Sequence, residues 1–274
     1  MSDRTLQGQI DAALAYEAVF VPGLLGLWVS RVADAARIQP GQRALDVACG
    51  TGVLAREMAV RIGSAGHVVG VDPNRGMLEV AKQLASEVEW REGVAESLPF
   101  GDHSFDAVVS QFGLMFFTDR CQALREMLRV LTPGGRLVVA VWDVLDSMPA
   151  FASEVALLER IAGQQAADAL RAPFVLGDRD ELSRLFSEAG AAGAEITTHE
   201  GTARFPSIRT MVEADLRGWL PVMGVVLNEH EIDHVLREAE QDLISYARTD
   251  RRAEFRLSAH LVTVKKSDDP AWNG

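Results

Sequence analysis

Between residues 43 and 142 short apolar runs alternate with stretches in which apolar positions recur every three or four residues. The runs Arg43 to Ala48, His67 to Val71, Phe105 to Ser110 and Arg136 to Trp142 predict buried strands, and the more polar Glu89 to Glu92 predicts another. Helices are expected over Val53 to Ile62 and over Asn74 to Val88, where Met77, Leu78, Ala81, Leu84, Ala85 and Val88 share a face. A third should run from an N-cap at Asp119 to Leu131, where Thr132-Pro133-Gly134-Gly135 stops it. Pro40-Gly41, Gly63 to Gly66 and Leu98 to Asp102 supply the turns. Strand and helix in strict alternation with short turns predict an α/β fold built on an open parallel sheet.

The flanks have a different rhythm. Up to about Arg37 the chain reads as helical, with Ile10, Ala13, Leu14 and then Leu24, Leu25, Leu27, Trp28 and Val32 on a buried face, and Pro22-Gly23 are expected to break it in two. Beyond Asp143, helices are expected over Pro149 to Arg171, from a capped start at Asp178 to Gly190, over Ser207 to Leu216 and over Asn228 to Ala247. Glu195 to His199 and Phe255 to Val264 read as a sixth and a last strand. With no internal repeat, the late helices are expected to cap the sheet within a single domain, 1–274. Its parts are N-terminal helices (1–39), a core (40–145), a helical cap with the sixth strand (146–252) and the last strand (253–266).

Composition narrows the partners. Hydrophobic residues make up 48% of the chain, ample for a core, and 27 basic against 39 acidic residues give a net charge of −12. That charge opposes general binding to nucleic acid or to an anionic membrane. Two cysteines make no disulfide framework, and no basic segment followed by an apolar one opens the chain, so a cytoplasmic location is expected. The apolar segment Ala18 to Val29 contains Pro22 and reads as too short to span a bilayer, so no membrane insertion is expected.

Candidate chemistry centres on Ala44 to Gly52, A-L-D-V-A-C-G-T-G, a buried strand that runs into a glycine turn and then a helix. Gly50-Thr51-Gly52-Val53-Leu54-Ala55 fits the dinucleotide pattern G-x-G-x-x-A, and Asp72 follows where an acid can accept from ribose hydroxyls. Alone this indicates a nucleoside. Asp46 lies inside the strand, where a buried carboxylate is costly unless paired. Either an amine-bearing ligand or a structural hydrogen bond to the turn accounts for it.

The chain resembles the class I S-adenosylmethionine-dependent methyltransferases, and within them the small-molecule branch that includes the quinone-biosynthesis (UbiE-like) enzymes. L-D-V-A-C-G-T-G, V-V-G-V-D, G-V-A-E-S-L-P-F, F-D-A-V-V-S-Q-F and L-T-P-G-G-R-L match that family's motifs in order over roughly residues 40 to 145. The resemblance implies a Rossmann-like sheet of seven strands, mostly parallel with the last strand antiparallel, helices on both faces and a helical cap. It also implies S-adenosyl-L-methionine as cofactor and a small-molecule acceptor. By position, Ala48, Cys49, Gly50 and Gly52 would line the methionine moiety, with Asp46 supporting the turn. Asp72 would hold the ribose hydroxyls, Met77 would pack near the adenine, and the backbone at Val94 and Ala95 would read its edge. Ser110, Gln111 and Phe112 would sit near the sulfonium, and Tyr16 and Phe20 would close over the cofactor. Val94 departs from the pattern, since relatives often carry Asp there, which removes a side-chain bond to the adenine amino group.

Other features carry plainer readings. Cys49 and Cys121 are expected to pack rather than react. His230-Glu231-Ile232-Asp233-His234 matches H-E-x-x-H, yet Glu231 suits a cap and no third ligand is evident, so no zinc is expected. His199 and His260 read as structural. The cluster Phe112, Met115, Phe116 and Phe117 divides evenly between core and pocket, and with Trp142, Phe151, Met211, Trp219 and Met223 it makes an apolar or aromatic acceptor plausible. The expected reaction is methyl transfer to oxygen, nitrogen or carbon, with no identifiable general base. A nicotinamide-dependent oxidoreductase and a non-catalytic cofactor-binding protein are the alternatives.

Overall fold

A computed structural model describes residues 3–267. Seven strands form one sheet in the order β3-β2-β1-β4-β5-β7-β6. They are β1 (Arg43–Val47), β2 (His67–Asp72), β3 (Glu89–Glu92), β4 (Phe105–Gln111), β5 (Leu131–Trp142), β6 (Glu195–Phe205) and β7 (Ala253–Lys265). β1 to β5 pair in parallel, while β7 is antiparallel to both β5 and β6, as the resemblance implies. Asp46 sits in register with Gly70 of β2 and Val109 of β4, so the carboxyl ends of three strands meet at one edge.

Strand order reverses beside β1, the place where open α/β sheets leave a crevice. Helices α3 (Val53–Ile62) and α4 (Arg75–Leu84) link β1 to β3 on one side of that point, and α5 (Arg120–Val130) links β4 to β5 on the other. Right-handed crossovers in the two directions put these groups on opposite faces of the sheet. Asn74 and Asp119 cap α4 and α5 by accepting from Met77 and Gln122 N–H groups.

The N-terminal helices depart from expectation. α1 (Asp3–Phe20) and α2 (Gly26–Ala35) are not separated at Pro22-Gly23 but joined by a π-helical turn, Val21–Leu25. The wider turn tolerates a proline near its start, where a missing N–H costs little. Gly23 answers to packing instead: a Cβ there would lie 2.7 Å from the Phe205 ring. Leu6–Ala35 therefore forms one 30-residue helix that is long and apolar enough to cross a membrane by length and composition, which corrects the reading of its apolar stretch as too short. Yet Trp28, Val32 and Ala33 are fully buried, and α2 packs on β4 to β7.

Three boundaries also move. Thr132 to Gly135 end α5 but then run extended within β5, as a bulge between the pairs Phe105 with Leu131 and Ala107 with Arg136. The expected helix from Pro149 to Arg171 divides at Gly163 (φ +87°) into α6 (Pro149–Ile161) and α7 (Gln164–Arg171). β6 continues to Phe205 because its whole length pairs with β7, a partner distant in sequence. Past α8 (Arg179–Glu188), the cap is completed by α9 (Ile208–Ala214), a second π turn over Asp215–Trp219, the short α10 (Leu220–Val222) and α11 (Glu229–Asp242).

Candidate functional site

The glycine turn leaves β1 through Ala48 at φ +58°, Gly50 at φ +55° and Gly52 at φ +83°. Left-handed backbone favours glycine, and a side chain at 52 would also meet the Trp90 ring at 2.2 Å. Ala48 has no such freedom, and neither does Phe112 (φ +57°) at the end of adjacent β4. Two strained residues at the carboxyl ends of adjacent strands are a feature of sites rather than of ordinary packing.

Two carboxylates hold the turn. Asp72 accepts from the Gly50 N–H at 2.9 Å through Oδ2 and from the Asn74 N–H at 2.8 Å through Oδ1. Burial raises its pKa, and these two N–H groups act the other way. Asp46 is 1% exposed, and burial pushes its pKa up to about 8 while the Ala55 N–H in the first turn of α3 favours the charged form. The structural account of Asp46 is thus half met, because Oδ2 has no partner.

Above the turn lies α1. Thr51 donates its hydroxyl to Glu17 at 2.5 Å, and Arg56 of α3 bridges to Glu17 at 2.6 Å and to the Thr51 carbonyl at 2.7 Å. These ties bring Tyr16 beside Gly50, with its hydroxyl 3.7 Å from where a Gly50 Cβ would stand. Burial, then the charges of Asp72, Glu17 and Asp46, push the Tyr16 pKa up and keep the phenol protonated.

Two cavities flank this junction. One, of about 420 Å³, lies among Ala48, Pro73, Val94, Ala95, Glu96 and Phe117. Glu96 shapes it by accepting from the Thr118 N–H at 2.8 Å. The other, of about 650 Å³, is enclosed by the N-terminal helices, the end of β4 and the cap, and eight of its thirteen lining residues are aromatic. Its floor is Phe112 stacked on Trp142 at 3.7 Å, and Tyr16, Phe20, Phe116, Phe151, Phe174 and Trp219 complete the aromatic wall. Gln111 reaches back to the Leu25 carbonyl at 3.3 Å, leaving its own Oε1 and Ser110 Oγ buried without partners.

Most of the residues read from sequence therefore gather at one edge of the sheet. Met77 does not reach the wall of the smaller cavity; it is half-buried in the first turn of α4, where its N–H serves the Asn74 cap. Cys49 is buried and its thiol pKa is pushed well up by that burial, in keeping with a packing role. Within the aromatic cluster, Phe112 lines the larger cavity, Phe117 the smaller and Phe116 both, and Met115 is core. Met211 is also core, and Met223 is not in the lining. Glu231 closes the capping box with Asn228 that its position predicts. His260 is 2% exposed between Thr198 Oγ1 and the Gly177 carbonyl, each 2.9 Å away, a structural placement.

Sequence reasoning missed Glu17, Thr51 and Arg56, whose meeting depends on the path of α1. It also missed Glu154 and Asp215, buried carboxyls beside the larger cavity. A signal existed for both: Glu154 lies three residues past Phe151 and Asp215 four past Met211, each on the apolar face of its helix.

A methyltransferase-domain family model matches residues 45–139. The ubiquinone/menaquinone biosynthesis C-methyltransferase UbiE of Ectopseudomonas mendocina is 45% identical over 123 residues, 43% of this chain and 48% of that protein. The demethylmenaquinone methyltransferase of Staphylococcus aureus is 34% identical over 189 residues, 64% of this chain and 78% of that protein. The chain belongs to the class I S-adenosylmethionine-dependent methyltransferases. It spans about half the length of the first curated relatives it matches. The methyltransferase fold also recurs in a solved structure of a methyltransferase candidate from Bacillus halodurans C-125, with a TM-score of 0.58 at 20% identity over 87% of this chain and 98% of that one. The cofactor of this methyltransferase family is S-adenosylmethionine, and the positive charge of its sulfonium and amino groups suits a glycine turn backed by the carboxyls of Asp46 and Asp72, with Asp46 Oδ2 unpartnered.

Proposed function

We propose that this chain transfers the S-methyl group of S-adenosylmethionine to a small acceptor with an aromatic or otherwise apolar body. The observation that carries the reading is the aromatic cavity of about 650 Å³, joined to the glycine turn by Tyr16 and Phe112. Relatives named as ubiquinone/menaquinone and demethylmenaquinone methyltransferases support an acceptor built on a ring.

Ala48, Gly50 and Gly52 would hold the methionine moiety of the cofactor, with Asp46 balancing the charge of its amino group. Asp72 would accept from the ribose hydroxyls, since its oxygens retain lone pairs beyond those already used by the turn. Val94, Ala95 and Phe117 of the smaller cavity would hold the adenine by apolar contact and backbone groups, because Val94 offers no side-chain acceptor. Tyr16 and Phe20 cover it from α1, and Gln111 and Ser110 line the methyl end with Phe112. When bound, the cofactor supplies an electrophilic methyl group. The chain's part is to hold the acceptor atom in line with it and exclude water, and the aromatic walls suit both tasks.

One domain carries both binding functions, with residues 40–145 serving the cofactor and 146–252 with the N-terminal helices serving the acceptor. The buried face of α2 supports a protein not inserted in a membrane, and the free Cys49 and Cys121 support a cytoplasmic location. Calorimetry with S-adenosylhomocysteine and with NAD, followed by transfer of labelled methyl to aromatic acceptors, tests the reading. Micromolar binding of S-adenosylhomocysteine and none of NAD is expected, and the reverse refutes it.

A further inference from the structure

The aromatic cavity has one charged wall. Among the described residues that line it, Asp215 alone carries a charge; it is 4% exposed, and its Oδ2 reaches no hydrogen-bond partner. Behind it, Glu154 of α6 is fully buried and close enough to share a side-chain hydrogen bond, and so a proton, with Asp215; it has no other partner. Neither carboxyl forms an ion pair with any arginine, lysine or histidine among the described residues.

Such a pair is expensive. Two buried carboxyls that have only each other as partners are costly to ionise, and a cation entering the cavity offsets that cost. Its neighbours in the cavity are π faces: Phe116 lies 5.0 Å from Trp219 between ring centroids, and Phe20 packs 3.6 Å from the position of a Gly218 Cβ. Trp219 is fixed by its indole N–H, which donates to the Ala169 carbonyl at 2.8 Å. Rings around a carboxylate form a site for an organic cation, whose charge meets the acid while its C–H surface meets the π faces. A hydroxyl would supply one hydrogen bond but no positive charge to draw the acid into its ionised form.

We propose that the acceptor is an aromatic amine-bearing molecule whose ammonium group docks on Asp215, with Glu154 behind it as a positioning residue. This deepens, and rests on, the methyltransferase reading. Burial raises the pKa of both carboxyls, that of Asp215 to about 7, so the empty pair holds a proton that it gives up as a cation docks.

The test uses the full chain and three isosteric probes: 1-naphthylmethylamine, 1-naphthalenemethanol and 1-methylnaphthalene. Binding is followed by tryptophan fluorescence with S-adenosylhomocysteine present, and S-adenosylhomocysteine affinity is measured separately by calorimetry. The amine should bind at least 30-fold more tightly than the alcohol or the hydrocarbon. Asp215→Asn and Glu154→Gln should each reduce that preference below threefold while S-adenosylhomocysteine affinity stays within twofold, which also reports that each variant is folded. If the alcohol equals the amine, or the preference survives both substitutions, the ammonium site is refuted and the methyltransferase reading stands. If S-adenosylhomocysteine does not bind the unaltered chain, the methyltransferase reading falls whatever the probe ranking.

Discussion

Asp72→Ala removes the side chain that ties the glycine turn to the end of β2. Its two oxygens receive N–H groups from Gly50 and Asn74 at 2.9 and 2.8 Å. Hydrogen bonds to a charged acceptor contribute about 1.5–3 kcal/mol each, and relief of burying the carboxylate offsets part of the loss. Urea unfolding should therefore show a loss of about 2–3 kcal/mol. The cofactor loses its ribose acceptor as well, so S-adenosylhomocysteine should bind about 100-fold more weakly by calorimetry, equivalent to about 2.7 kcal/mol. Asp72→Asn keeps one acceptor oxygen but turns an NH2 group toward the other N–H, so it should lose at least about tenfold in affinity despite its matching shape. Full cofactor affinity in Asp72→Ala would refute the ribose role, and unchanged unfolding would refute the tie to the turn.

Gly52→Ala meets both a left-handed φ of +83° and the Trp90 ring, whereas Gly41→Ala meets a left-handed φ of +81° with open space around it. The first should lose about 3 kcal/mol or more in urea and the second about 1–2 kcal/mol, so equal losses would remove the Trp90 contact from the account. Glu17→Ala releases the tie from α1 to Thr51 and Arg56, and amide exchange in α1 should quicken about tenfold while S-adenosylhomocysteine dissociates faster. For pH, burial holds the pKa of Asp215 near about 7 and that of Asp46 near about 8, while both are ordinary in the unfolded chain. Between pH 5 and 7 the folded state thus holds protons that the unfolded state lacks. Stability should fall as pH rises through this window, by up to about 1.4 kcal/mol per pH unit per group. Urea unfolding at several pH values checks this, with Asp46→Asn and Asp215→Asn together reducing the slope and the raised Asp72 and Glu154 carrying the rest; stability that rises with pH there contradicts it.

How much of this was legible in the residues follows from where each signal resides. The strand runs from Arg43 to Trp142 are local patterns of burial, and Gly50, Gly52, Asp46 and Asp72 lie within one strand-turn-helix unit and the strand beside it. A short stretch of chain specifies such features because neighbours in sequence there are neighbours in space. The sequence alone thus determined the α/β core, the glycine turn and the caps at Asp119, Asp178 and Asn228. Tertiary structure decided what depends on distant partners. Pro22-Gly23 became a π turn in which Gly23 admits the Phe205 ring, and β6 reached Phe205 because β7 was available to pair with it. Glu154 and Asp215 each appear in sequence as one acid on an apolar face, a pattern with no meaning alone. Only the packing of the cap against β4 and the N-terminal helices brings them together beside an aromatic cavity, where burial with no partner but each other turns two ordinary carboxyls into a site for a cation.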